Sequence, residues 1–128
     1  MTRLAGGDLG ATKNKYRDRL RAAAADARAR CVTPGKEMTY LAKRTELEAF
    51  RRGAAAGPYL AAEAIRRGVT ARQAAEVIEA AVQVSDRALA TIDGIELGGL
   101  AAIDAAGSAP EIAAAFNNAA AALREERR

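Results

Sequence analysis

The chain has no histidine and no tryptophan, and cysteine occurs once, at Cys31. Histidine is the commonest general base and metal ligand. Its absence excludes His-based triads and Cys-His pairs and removes much of the usual metal-binding chemistry. A lone cysteine cannot build an internal disulfide framework and fits a reducing compartment. Cys31 reads as a small buried hydrophobe or, alternatively, as an intermolecular crosslink. Long apolar runs are missing too. Stretches such as Ala119–Leu123 fall far short of the roughly 20 residues that span a bilayer, so no membrane segment is expected. Met1–Leu9 is short, polar and glycine-containing, unlike a signal peptide.

Large apolar side chains are also scarce. Leu, Ile, Val, Met, Phe and Tyr together number 28 of 128 residues. A fully buried Leu or Ile contributes roughly 1.5–3 kcal/mol, whereas alanine buries little area. Such a thin core makes self-association or a partner surface the natural way to bury more of each helix. What the chain has in abundance is alanine, at 35 positions. Alanine is the best helix former and lets helices approach closely. The expectation is an all-α protein, an antiparallel helical hairpin or bundle. At this length a single helical domain over 12–128 is expected, preceded by a flexible N-terminal arm over 1–11.

The formal charge of +4 conceals a split. Residues 13–52 carry 12 basic and 5 acidic side chains, net +7, and residues 53–123 carry 4 basic and 8 acidic, net −4. Such halves can pair within a chain or between subunits, or turn the basic half to nucleic acid.

Five helices can be placed. Thr12 or Asn14 can cap a first helix ending near Cys31, with Tyr16, Leu20, Ala23, Ala27 and Cys31 on one stripe. Thr33-Pro34 suits the cap and first turn of a second helix to about Arg52. On it, Tyr40, Leu47 and Phe50 line one stripe, and Met38, Leu41 and Thr45 its neighbour. Pro58 opens a short helix stopped by Gly68. Thr70-x-x-Gln73 has the form of a capping box and begins one long helix over about 71–106. Its apolar positions include Val77, Ile78, Leu89, Ile92, Ile95 and Ile103. Gly94, Gly98 and Gly99 are its weak points, each costing about 1 kcal/mol relative to alanine; they mark either a break or kink in the helix or a close-packing face against another helix. Ser108-Ala109-Pro110-Glu111 opens the last helix, with Ile112, Phe116 and Leu123 on its apolar side. The candidate packing or interface residues are Tyr16, Leu20, Tyr40, Leu47, Phe50, Ile92, Ile95 and Phe116.

No catalytic residue, cofactor-binding site or metal site is expected, and the chain does not read as an enzyme. Glu76 and Glu79 lie three apart on a helix, a spacing that mostly marks exposed carboxylates. Gly6-Gly7 and Gly98-Gly99 lack the spacing that cradles phosphate. The sharper alternative is a helix-turn-helix DNA reader over Leu60–Ala80. There Ala64, Gly68, Val69 and Val77 stand at the motif's spacing. Its second helix offers Arg72 and Gln73, followed by Glu76 and Glu79, and carboxylates suit phosphate poorly.

The string Val32-Thr33-Pro34-Gly35-Lys36-Glu37-Met38-Thr39-Tyr40-Leu41-Ala42-Lys43-Arg44-Thr45-Glu46-Leu47-Glu48-Ala49-Phe50 resembles a pattern in small alanine-rich helical proteins encoded among bacteriophage tail and virion genes. Pro58-Tyr59-Leu60-Ala61-Ala62-Glu63, a Gly-Val-Thr entry to an alanine-rich helix, and Ile103-Asp104-Ala105-Ala106 continue the likeness. It covers about residues 32–106. Gly94 and Gly98-Gly99 depart from that pattern. The resemblance implies a non-enzymatic virion structural or assembly protein at a tail, fibre or head–tail site. It would pass through the host cytoplasm during assembly and pack as a homo-oligomer against other virion proteins. The second reading is a small basic DNA-binding protein.

Overall fold

The computed structural model describes residues 6–32 and 35–126. They form five helices: α1 (Gly6–Cys31), α2 (Glu37–Arg51), α3 (Pro58–Arg67), α4 (Ala71–Ala105) and α5 (Ala109–Glu125). No strand occurs among the described residues, so the chain is all-α. Its contacts gather into two compact units, one comprising residues 1–31 and 88–128 and the other residues 32–87. Each unit has its own core.

The first unit packs α1, the second half of α4 and α5. Arg28 meets Asp93 and Glu96 while Arg17 meets Asp104, so α1 and α4 run antiparallel. The Tyr16 ring meets that of Phe116 at a tilt and Arg30 reaches Leu123, so α1 and α5 run parallel. Leu20, Ile92, Ile103, Ile112, Leu123 and Cys31 are fully buried between them. Alanines 24, 27, 88 and 119 fill the remaining positions and let the axes approach. Gly99 is a point of close approach. A Cβ there would lie 2.6 Å from Leu20 Cδ2 and 2.9 Å from Ala119 Cβ.

The expected arm over 1–11 is corrected by α1, which begins at Gly6. Leu9 packs against the core of this unit, and that burial offsets the low helix propensity of the neighbouring glycines. Thr12 is an interior residue whose hydroxyl donates to the Asp8 carbonyl, not a cap. Residues 1–5 of the expected arm lie outside the described residues.

The second unit packs α2, α3 and the first half of α4. Leu47, Leu60, Ala64, Ala74, Ala75 and Ile78 form its core, with Phe50, Ala56 and Val82 half-buried against it. α2 begins at Glu37, and the expected Thr33-Pro34 cap lies outside the described residues. Pro58 occupies the first turn of α3. Gly68 ends that helix in the left-handed conformation at φ +67°, which glycine adopts without steric penalty. The capping box forms as expected. The Gln73 N–H donates to Thr70 Oγ1 at 3.1 Å, and the Thr70 N–H to Gln73 Oε1 at 3.0 Å. α4 then runs unbroken through Gly94, Gly98 and Gly99. Ser108 caps α5 by accepting from the Glu111 N–H.

The start of α3 is satisfied from a distance. Glu46 of α2 accepts from the Leu60 N–H at 2.8 Å and from the Tyr59 N–H at 3.1 Å. A carboxylate here also complements the positive end of the helix dipole. Glu46→Ala is expected to destabilise the α2–α3 pair by about 1–2 kcal/mol, as loss of an N-terminal cap does. Urea unfolding checks this, and an unchanged midpoint would show the carboxylate to be dispensable.

Candidate functional site

The sequence-predicted residues all turn inward. Leu20, Leu47 and Ile92 are buried. Tyr16, Ile95 and Phe116 pack half-buried on the first core, and Phe50 on the second. Tyr40 is half-buried, and its hydroxyl donates to Asp86 at 3.3 Å. Each of these eight residues therefore packs inside one unit or the other, and the outer surfaces are left to others.

The surfaces are formed by a different set. Among the described residues, eight large apolar side chains stand exposed: Met38, Leu41, Tyr59, Ile65, Val69, Val77, Val84 and Leu97. Seven belong to the second unit, and Met38 and Ile65 are 78% and 81% exposed. The neighbouring stripe of α2 noted in the sequence, Met38 and Leu41, is thus its outer face. Helical geometry explains the division, since Leu47 and Phe50 lie on the side that meets α3 and α4.

Ion pairs join the two oppositely charged segments at five bases, Arg17, Arg28, Lys43, Arg44 and Arg51. Among the described residues, the ion pairs between helices each join a base in 13–52 to an acid in 53–123. Arg17 meets Asp104, and Arg28 Nη2 meets Glu96 at 2.5 Å. In the second unit Arg44 meets Asp86, Arg51 meets Glu79, and Lys43 approaches Glu63 at 3.7 Å. Hydrogen bonds to Asp86 and then Tyr40 raise the Arg44 pKa further above its ordinary value and hold it charged. Glu63 is pulled below the usual glutamate range, first by its hydrogen bond from Arg67 and then by that from Arg66. Its contribution to stability is present above the ordinary glutamate pKa and is lost as pH falls through the lowered value.

These pairings also bear on chemistry. Glu79 is bound to Arg51, so it does not form a free acid–base pair with Glu76. At the helix-turn-helix, Arg66 and Arg67 close on Glu63, and Gln73 is tied to Thr70. Arg72 alone of the basic residues around this turn, at 66, 67 and 72, extends without a partner among the described residues. Each unit carries a shallow groove. One of about 340 Å³ in the first unit is lined by Ala23, Arg30, Phe116, Ala120, Leu123 and Arg124. Arg30 there donates to the Leu123 carbonyl at 2.8 Å, an ordinary cap for a helix C-terminus. A smaller one of about 160 Å³ lies between α2 and α4 beside Arg44, Arg51, Glu79 and Asp86. Among the described residues no group of three or more His, Cys, Asp or Glu is placed to hold a metal ion. No described helix is long and apolar enough to cross a membrane.

The outer face of α4 in the second unit carries the clearest unused chemistry. Glu76, Val77, Ala80, Ala81, Val84 and Arg87 are all exposed there. Neither Glu76 nor Arg87 has a hydrogen-bond or ion-pair partner among the described residues. Comparison with known proteins finds no matching family model, no matching curated protein and no matching solved structure.

Proposed function

We propose that this chain is a non-enzymatic bacteriophage structural or assembly protein that works by packing its helices against copies of itself and other virion components. The observation that carries the reading is the imbalance in the second unit. Its core buries three large side chains, Leu47, Leu60 and Ile78, while seven stand exposed. Apolar surface of that kind marks interaction sites on proteins. All eight exposed large side chains fall between residues 38 and 97, inside the 32–106 segment that resembles tail and virion proteins. Ion pairs to acids of the other half engage Arg17, Arg28, Lys43, Arg44 and Arg51 of the basic segment, and the second helix of the turn carries Glu76 and Glu79, which suit phosphate poorly; both favour protein over nucleic acid as the partner.

Mass spectrometry of purified particles from a phage encoding the chain tests this. The chain is expected in the particle at a fixed ratio to known tail or head–tail components. Absence from particles, together with a DNA gel shift that weakens steeply with salt, would move the assignment to nucleic-acid binding.

A further inference from the structure

We infer that α4 of the second unit is a self-complementary contact, on which a second copy of the chain docks antiparallel through residues 76–87. The inference rests on the reading of the chain as a self-packing helical protein and names the partner and the face. The face is apolar and narrow at its middle. Val77 and Val84 stand exposed one on each side of Ala80 and Ala81. The small central side chains let two helix axes come close, and the valines then fill the space on either side.

The charges specify orientation. On a helix with 100° per residue, Glu76 and Arg87 fall on the same flank of this face, three turns apart. A two-fold axis perpendicular to an antiparallel helix pair sets like flank against like flank. Glu76 of one copy then meets Arg87 of the other, twice per contact. The valines are symmetric about a point between Ala80 and Ala81, and the charges about a point between Ala81 and Val82. These centres differ by about 1.5 Å, well within the reach of the long Glu and Arg side chains. A parallel pair sets each flank against the opposite flank, where Ala81 lies, and leaves both charges unmatched. Glu76 and Arg87 are also the charges on this face that have no partner in their own chain among the described residues. The contact is small, so it is weak between free copies and gains strength where several copies are held together.

Charge reversal tests the contact. Glu76→Arg and Arg87→Glu each put like charges together in a contact between identical copies, whereas a mixture of the two variants matches both charges. Both positions are exposed, and circular dichroism checks that each variant folds like the parent. In sedimentation equilibrium the parent is expected to dimerise with rising concentration. Each variant alone is expected to need about tenfold more protein. The equimolar mixture is expected to recover parental association as a heterodimer. Variants that associate like the parent, or a mixture that fails to recover, would overturn this contact while leaving self-packing through another face standing. A parent chain that stays monomeric over the whole range would overturn the contact and self-packing together. The particle assay would then decide the virion reading separately.

Discussion

Leu20→Ala is expected to destabilise the first unit by about 2–5 kcal/mol, the range for a large-to-small change in a packed core. The reason is the scarcity of large side chains around it. Leu20 is fully buried, and its core neighbours on α1 and α5 include Ala24, Ala27 and Ala119. Alanines held on rigid helices cannot swing inward to fill a void, so the cavity persists. Denaturant unfolding followed by circular dichroism measures the loss. A change under about 1 kcal/mol would show that the helices close around the gap and that the packing is looser than the burial indicates.

The second large effect is at Gly99, where the same leucine takes part. Gly99→Val is expected to destabilise the first unit by about 3 kcal/mol or more, and Gly99→Ala by about 1–3 kcal/mol, as overpacking does. The new Cβ meets Leu20 Cδ2, which can shift, and Ala119 Cβ, which sits on a helix backbone and cannot. Gly94 and Gly98 make the control. A Cβ at either position meets nothing within 4 Å in the chain. Gly94→Ala and Gly98→Ala should therefore stabilise by about 0.5–1 kcal/mol each through helix propensity. Identical behaviour at all three positions would refute the close approach at Gly99. In the Leu20→Ala background the penalty of Gly99→Ala should shrink, because one of the two obstructing groups is gone.

Local signals in the sequence located most helix ends. Pro58, Gly68, the Thr70–Gln73 box and Ser108 each act within a few residues of the end they define, so reading them needs no tertiary information. The continuity of α4 through its glycines was less legible: the apolar period continues on both sides of Gly94, but the low helix propensity of glycine left a break or kink open, and only the packing decides it. The start of α1 was not legible. It depends on Leu9 meeting a core assembled from residues some eighty or more positions away. The division into two units was hidden for a similar reason. The charge split announced that basic and acidic halves can pair, but which arginine finds which carboxylate depends on helix register. The outer face suffered the same limit. Val77 and Ile78 are adjacent and chemically alike, and only the placement of α2 and α3 leaves the first exposed and the second buried.

Cys31, 1% exposed at the end of α1, makes the first unit its own reporter. It is the sole thiol of the chain, so a thiol-reactive dye has one target. That target becomes accessible only when the last turn of α1 frays or the whole unit opens. When closing outpaces modification, the labelling rate measures the free energy of that opening at equilibrium, under native conditions. Its dependence on denaturant separates the two routes, because fraying exposes little surface and global opening exposes much. Transitions confined to residues 32–87 leave the rate unchanged. One kinetic trace can thus time the breathing of one unit while the other stays silent.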